Sequence, residues 1–324
     1  MAVHTIATAL TEGLGIALQD ESVVLIGEDV GRAGGVFRVS DGLLERFGSH
    51  RVIDTPVAES GIVGAAFGMA VAGLKPIAEI QFMGFSYPAY DQIVSHVARI
   101  RNRSRHRFTA PMVIRMPFGG GFGAAEHHSE STEAVYAHIP GLKVVVPATP
   151  ADAKGLLLAA VDDPDPVILL EPIRLYRSVK EEVAGGRYTT PIGKARVERD
   201  GSDVVLVSWG AMTKETRSAA EQLAAAGVDS TVIDLRTIVP WDSQTVVEAA
   251  RSVGRVVIAS EAPRTGGFAA EVSATITERA LYSLEAPVER VAGLDTVFPL
   301  KRSESHFLPS VDQIVAAAMR TLEA

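Results

Sequence analysis

The sequence predicts an α/β fold in two domains, and three observations carry that prediction. Short Val/Ile/Leu-rich runs recur without strict alternation, the pattern of strands buried on both faces of a parallel sheet. Longer helix-forming segments separate them, so strand and helix alternate. The texture then changes near residue 180: residues 177–203, RSVKEEVAGGRYTTPIGKARVERDGSD, are polar, charged and glycine-rich. A second α/β series begins beyond them. The expected organisation is a first domain over 1–180, a crossing linker over 181–202 and a second domain over 203–324.

The elements follow in order. A helix is expected over 5–19, then the strand VVLIG (23–27), a helix over 60–73 and the strand PIAEIQF (76–82). A helix over 88–103 leads to PMVIRMP (111–117), LKVVVP (142–147) and PVILLEP (166–172). The second series holds DVVLVSWG (203–210), a helix over 213–226, STVIDLRTI (230–238), RVVIASEA (255–262) and PVERVAG (287–293). A last helix runs from residue 310 to the C-terminus. The chain shows no internal repeat and no low-complexity tract.

Composition excludes several classes of function. At 324 residues with 47% hydrophobic side chains, the chain can fill two cores. A net charge of −8 opposes a nucleic-acid partner, because phosphate binding wants the opposite sign. The absence of cysteine removes disulfides, thiolate metal sites and a cysteine nucleophile. The first Lys or Arg is Arg32, which argues against a secretory or mitochondrial leader. No uncharged run reaches the length of a membrane span. These features point to a cytoplasmic protein without membrane contact.

Glycines are plentiful, yet no G-x-x-x-x-G-K-[ST] occurs, and FGGGFGAAEHH (118–128) does not fit G-x-G-x-x-G. This chain therefore shows no loop for cofactor phosphates. Glu59 in DTPVAESGIVGAAFGMAVAG (54–73) precedes a stretch from Ser60 through Leu74 without one charge. The ordinary reading is a first-turn acid complementing the helix dipole. The sharper one is a carboxyl whose apolar surroundings let it share a proton near neutral pH. The small residues after it would also admit a flat ligand or another chain.

His127 and His128 follow the glycine cluster beside Glu126, Glu130 and Glu133. Adjacent loop histidines are more often solvated than catalytic, but a flexible segment after a strand suits a site. Their spacing matches no common metal pattern. The aromatics of FMGFSYPAY (82–90) read as core or as a stacking platform at the strand's end. The basic run RIRNRSRHR (99–107) reads as a solvated face or an anion surface.

Several segments then combine: DTPVAESGIVGAAFGMAVAG, EIQF, PGLKVVVPATPADAKGLLLAA, VILLEPIRLYR, VIDLRTIVPWD and EAPRTGGFAAEV. Together they resemble the β subunit of the decarboxylating component of 2-oxo acid dehydrogenase complexes, from about residue 4 to the C-terminus. The resemblance implies a thiamine diphosphate-binding fold. A pyrimidine-type domain, a parallel sheet flanked by helices, would be followed by a transketolase C-terminal-like α/β domain. An α subunit would hold the diphosphate and Mg²⁺ through a GDG…N motif, which this chain lacks.

The resemblance also assigns residues. Glu59 matches the glutamate of the family's TP-x-x-E motif, which hydrogen-bonds the aminopyrimidine ring nitrogen and promotes proton transfer from the thiazolium carbon. Phe85 matches the aromatic that packs on the pyrimidine, where some relatives have Tyr. His128 matches the histidine of an H-S-x-S segment near the reacting centre, where it handles protons or meets the lipoyl group; His127 receives no role. Glu28, in GEDVG, matches an acid facing the cofactor. Some members bind K⁺ through positions matching Met112, Ala160, Val161 and Asp163, with an Asn that is Asp165 here.

The function so implied is that of a β subunit in an assembly of two α and two β chains. It would decarboxylate a 2-oxo acid and acylate the lipoyl group of an acyltransferase component. Branched-chain substrates lead, because EIQF, LYR, VPWD and EAPRTGGFA resemble that branch; PFGGG and TPIGKA resemble pyruvate enzymes, and an acetoin-cleaving relative is a further alternative. Rivals of other kinds are a non-catalytic nucleotide-binding or scaffolding subunit and a transketolase-type sugar enzyme.

Overall fold

The structure is a computed structural model that describes residues 2–324. The chain divides into two compact units. One is the chain up to Phe118 together with Val135–Ile192; the other is Gly119–Ala134 together with Gly193–Ala324.

The first unit contains β1 (Ala2–Thr5), β2 (Val23–Gly27), β3 (Val52–Asp54), β4 (Lys75–Glu79), β5 (Val113–Phe118), β6 (Lys143–Val145), β7 (Val167–Pro172) and β8 (Lys180–Val183). Six of them lie in the order β6-β7-β5-β4-β2-β3, and every neighbouring pair is parallel. Strands β2, β5 and β7 are buried throughout, as their uninterrupted apolar sequences require. Helix Ile6–Ala17 starts at a capping box, in which Thr5 and Thr8 each accept the other's backbone N–H. Helix Pro150–Asp162 starts where Thr149 Oγ1 accepts the Asp152 N–H at 3.2 Å, with Pro150 preset for the first turn. These two helices pack together, and Gly13 lets Leu157 approach.

The second unit holds β9 (Arg196–Arg199), β10 (Val204–Ser208), β11 (Ser230–Asp234), β13 (Val256–Pro263) and β14 (Glu289–Gly293) in the order β14-β13-β10-β11-β9. A short strand, β12 (Thr237–Val239), stands outside that sheet. All pairs are parallel except β9 with β11. Helices Met212–Ala225 and Val311–Leu322 cover one core, built on Leu206, Leu223, Val257 and Ile314.

Two expectations need correction. Residues 181–202 are not a plain linker: β8 pairs antiparallel with β1, and β9 forms a sheet edge. Residues 88–103 are not one helix. Met83–Ala89 is a 3₁₀ segment, Gln92–Val97 a π-helical one and Ile100–Arg103 an α-helical turn. The Ala98 N–H reaches five residues back to the Ile93 carbonyl at 2.9 Å, and the Arg103 guanidinium takes the Ser95 carbonyl at 2.6 Å. Both pull the backbone out of α register.

Beneath the first sheet's C-terminal edge lies an ion cluster. Arg115 on β5 donates to Glu171 on β7 at 2.8 and 2.6 Å and to Glu79 on β4; the Tyr176 hydroxyl also donates to Glu171. All four side chains are buried. Burial raises the Glu79 carboxyl to about 6 against the lowering pull of Arg115. Removing the guanidinium would leave two buried carboxylates facing each other. Arg115→Met is therefore expected to cost about 3–5 kcal/mol, read by chemical denaturation. The double variant carrying Glu171→Gln as well should recover part of that loss.

Candidate active site

Parallel strands deliver the loops that follow them to one edge, where α/β proteins place their sites. Glu28 leaves the end of β2, and Glu59 opens helix Glu59–Val71 just after β3. The intervening chain is fixed by backbone: Thr55 N–H donates to the Gly27 carbonyl, and Asp54 accepts from the Gly31 and Arg32 N–H groups at 2.6 and 3.0 Å. A Cβ on Gly31 would strike the Asp54 carboxylate, so the close approach requires glycine.

The structure brings Glu28 and Glu59 together electrostatically. Glu28 is only 5% exposed. Its carboxyl is pushed up, first by burial and then by the charges of Glu59 and Asp29, against one hydrogen bond from the Ala58 backbone. Its Oε1 is buried without a hydrogen-bond partner. Glu59 is half-buried at the helix N-terminus, beside Val57, which is 80% exposed. The 3₁₀ segment carrying Phe85 packs on the same helix. Phe85 meets Phe82 edge-on at 5.2 Å, and Phe82 meets Phe37 at 5.4 Å, so Phe85 belongs to an aromatic row.

The positions matching a K⁺ site gather at the end of helix Pro150–Asp162. The Met112 carbonyl accepts from Val167 N–H and the Ala160 carbonyl from Asp163 N–H. Asp163 pairs with Lys143 at 2.5 Å, and Asp165 with Arg101 at 2.5 Å. That set offers carbonyl oxygens but no carboxylate without a counter-charge, so the K⁺ expectation rests on the resemblance alone. Among the described residues, no group of three or more His, Asp or Glu is arranged to hold a metal. The rest of the basic run beyond Arg101 is mainly solvent-facing.

His127 and His128 lie in the second unit, in the short 3₁₀ turn Glu126–His128. His127 is exposed and His128 half-buried. Behind them sit groups that the sequence reading missed or gave no such part. Glu261 accepts the Gly120 N–H at 2.6 Å and the Ser131 hydroxyl at 3.2 Å. Glu133 accepts from the Trp209 indole at 3.0 Å, and its other oxygen, Oε2, is buried without a partner. No local spacing flags Glu261, whose loop partners lie 141 and 130 residues away.

Comparison with known proteins places this geometry. The transketolase pyrimidine-binding domain matches residues 4–179, and the transketolase C-terminal domain matches residues 193–314. A pyruvate dehydrogenase E1 component subunit beta from Acholeplasma laidlawii is 49% identical, covering 100% of this chain and 99% of the relative. One from Bacillus subtilis (strain 168) is 47% identical over all of both chains. This chain belongs to the E1 β-subunit family. A solved structure titled "Split gene transketolase, inactive beta4 tetramer" shares the fold, with a TM-score of 0.80 at 24% identity over 99% of this chain and 98% of that one. The expected family and the expected transketolase-like fold are both borne out. As a member of the E1 β-subunit family, the chain is part of a thiamine diphosphate-dependent 2-oxo acid dehydrogenase. No helix among the described residues is long and apolar enough to cross a membrane.

Glu133 yields a pH prediction. Burial pushes its carboxyl up to about 7, and the charge of Glu261 adds to this. The folded chain thus keeps a proton that the unfolded chain releases from about pH 4.5 upward. Stability drawn from Glu133 is full below that pH and is lost as pH rises towards 7. Glu133→Gln keeps an acceptor for Trp209 and removes the ionisation. Its Tm should exceed that of the unaltered chain by several degrees at pH 8 and match it near pH 4.5. An equal difference at both pH values would contradict the assignment.

Proposed function

We propose that this chain, joined to an α subunit, forms the component that decarboxylates a 2-oxo acid and passes the acyl group to the lipoyl arm of an acyltransferase. The observation that carries the proposal is the pair Glu28 and Glu59, set beside the Phe85 row at one sheet edge of a chain without a phosphate loop. Its relatives above are named as pyruvate enzymes, which puts pyruvate ahead of the branched-chain 2-oxo acids favoured by motif alone.

The residues fit the pyrimidine half of thiamine diphosphate. Glu28 Oε1 is a buried acceptor lacking a donor, and Phe85 supplies an aromatic surface from a 3₁₀ segment packed on the helix that Glu59 opens. Mg²⁺ and the diphosphate fall to the α subunit in this reading. When bound, the cofactor supplies the electron sink for decarboxylation. Glu59 would hold a proton at a pyrimidine ring nitrogen. The Glu28 carboxyl, pushed up by burial, would lessen the negative charge beside it. Phe85 would orient the ring and exclude water. His128 is the candidate proton carrier at the lipoyl-facing step.

Assembly follows from helix Glu59–Val71. Its buried side holds Ile62, Val63, Ala66 and Ala70, while Gly61, Ala65 and Gly68 are exposed on a face without charge. Small side chains permit close approach of another subunit there.

The chain mixed with its α subunit should turn over pyruvate faster than branched 2-oxo acids or acetoin; preference for a branched acid would reverse the substrate order. Glu59→Gln keeps volume and hydrogen bonding but cannot exchange the proton. Turnover of that assembly should fall by roughly 10²–10⁴-fold with Tm nearly unchanged. Unaltered turnover in a folded assembly would remove Glu59 from the reaction.

A further inference from the structure

The glycine cluster of residues 119–123 has no phosphate role in the reading above, and its geometry shows another use. Residues 119–131 form a loop closed at its neck, where the Gly119 N–H donates to the Glu130 carbonyl at 2.9 Å. Glu261, on β13 and 6% exposed, reaches into that neck. Its Oε1 accepts the Gly120 N–H at 2.6 Å from one stem and the Ser131 hydroxyl at 3.2 Å from the other. A second carboxylate, Glu304, takes the Gly123 N–H at 3.0 Å.

The glycines make this contact sterically feasible. A Cβ on Gly119, whose φ is +87°, would meet Glu261 Oε1 at 2.5 Å; one on Gly120 would fall within the Phe298 ring. The backbone thus lies directly on the carboxylate and the ring. A carboxylate receiving backbone N–H groups makes charge-assisted bonds, about twice as strong as neutral ones. The turn Glu126–His128 sits between the two stems, so its place depends on how firmly the neck is shut.

We propose that Glu261 is a positioning residue for His128, stapling both stems of the 119–131 loop so that the histidine is presented from a closed loop. This rests on the reading of His128 given above. Glu261 does not itself meet substrate; it acts through the loop. A loop left open at its neck would sample many positions, and small displacements of a reacting group cost rate steeply.

The test uses the αβ assembly with Glu261→Ala, Glu261→Gln, His128→Asn and the double variant of Glu261→Ala with His128→Asn. Hydrogen exchange across 119–131 should quicken at least about tenfold in Glu261→Ala, with β10 and β13 unchanged. Acyl transfer to a lipoyl domain should lose about 10–100-fold in kcat, with KM for that domain within about threefold. Glu261→Gln, which still offers an acceptor oxygen, should restore most of both. The double variant should be no slower than His128→Asn alone. Unchanged loop exchange in Glu261→Ala, no rescue by Gln, or additive losses in the double variant would each overturn the proposal. Unaltered turnover in His128→Asn would instead remove the reading of His128. The exchange data judge the staple in either case, so the two failures are distinguishable.

Discussion

The first unit depends on offsetting the negative charge that a parallel sheet collects at one edge. Strands that all run the same way release their following loops together, and here those ends carry Glu28, Asp29, Glu79 and Glu171. Arg115 is the cation buried among them, and it is spent on Glu79 and Glu171. Glu28 lies outside its hydrogen-bonding reach. Burial and neighbouring acids therefore push Glu28 up, and no guanidinium draws it back down. The same ion cluster that lets the strand ends coexist leaves one acid at the edge without a guanidinium partner.

That division of charge gives Glu28 and Glu59 unequal environments. Glu28 is buried with one oxygen unpartnered, whereas Glu59 stands half-buried at a helix N-terminus. The outer face of the helix behind Glu59 carries small, uncharged residues, so one short segment holds both the acid and an uncharged exposed surface.

The second unit solves a different problem with similar materials. A glycine-rich loop is entropically costly to order, and a side chain that reaches both stems limits that cost. Glu261, Glu304, Phe298 and the Trp209–Glu133 bond all bear on residues 119–134. The glycines serve the approach of backbone to these groups, which explains why their spacing fits no phosphate motif.

The strands VVLIG and PVILLEP were legible nearly to the residue, because unbroken Val/Ile/Leu runs have few other stable settings than a sheet covered on both faces. Glu59 stood out locally as a charge beside an apolar segment, whereas Glu28 was named only through the resemblance. Residues 88–103 were not legible, because their hydrogen-bond register is set by tertiary partners such as the Arg103 guanidinium rather than by propensity. Nor was β8 visible within a polar stretch, since its pairing with β1 joins Val183 to Ala2 across nearly the whole first unit. The sequence by itself determined the alternation of strands and helices and, through its motifs, the family. Only the tertiary structure decided which acid is buried with an unpartnered oxygen, which arginine offsets the others, and that Glu261 closes a loop 141 residues away. Those depend on non-local burial and pairing, which no run of neighbouring residues encodes.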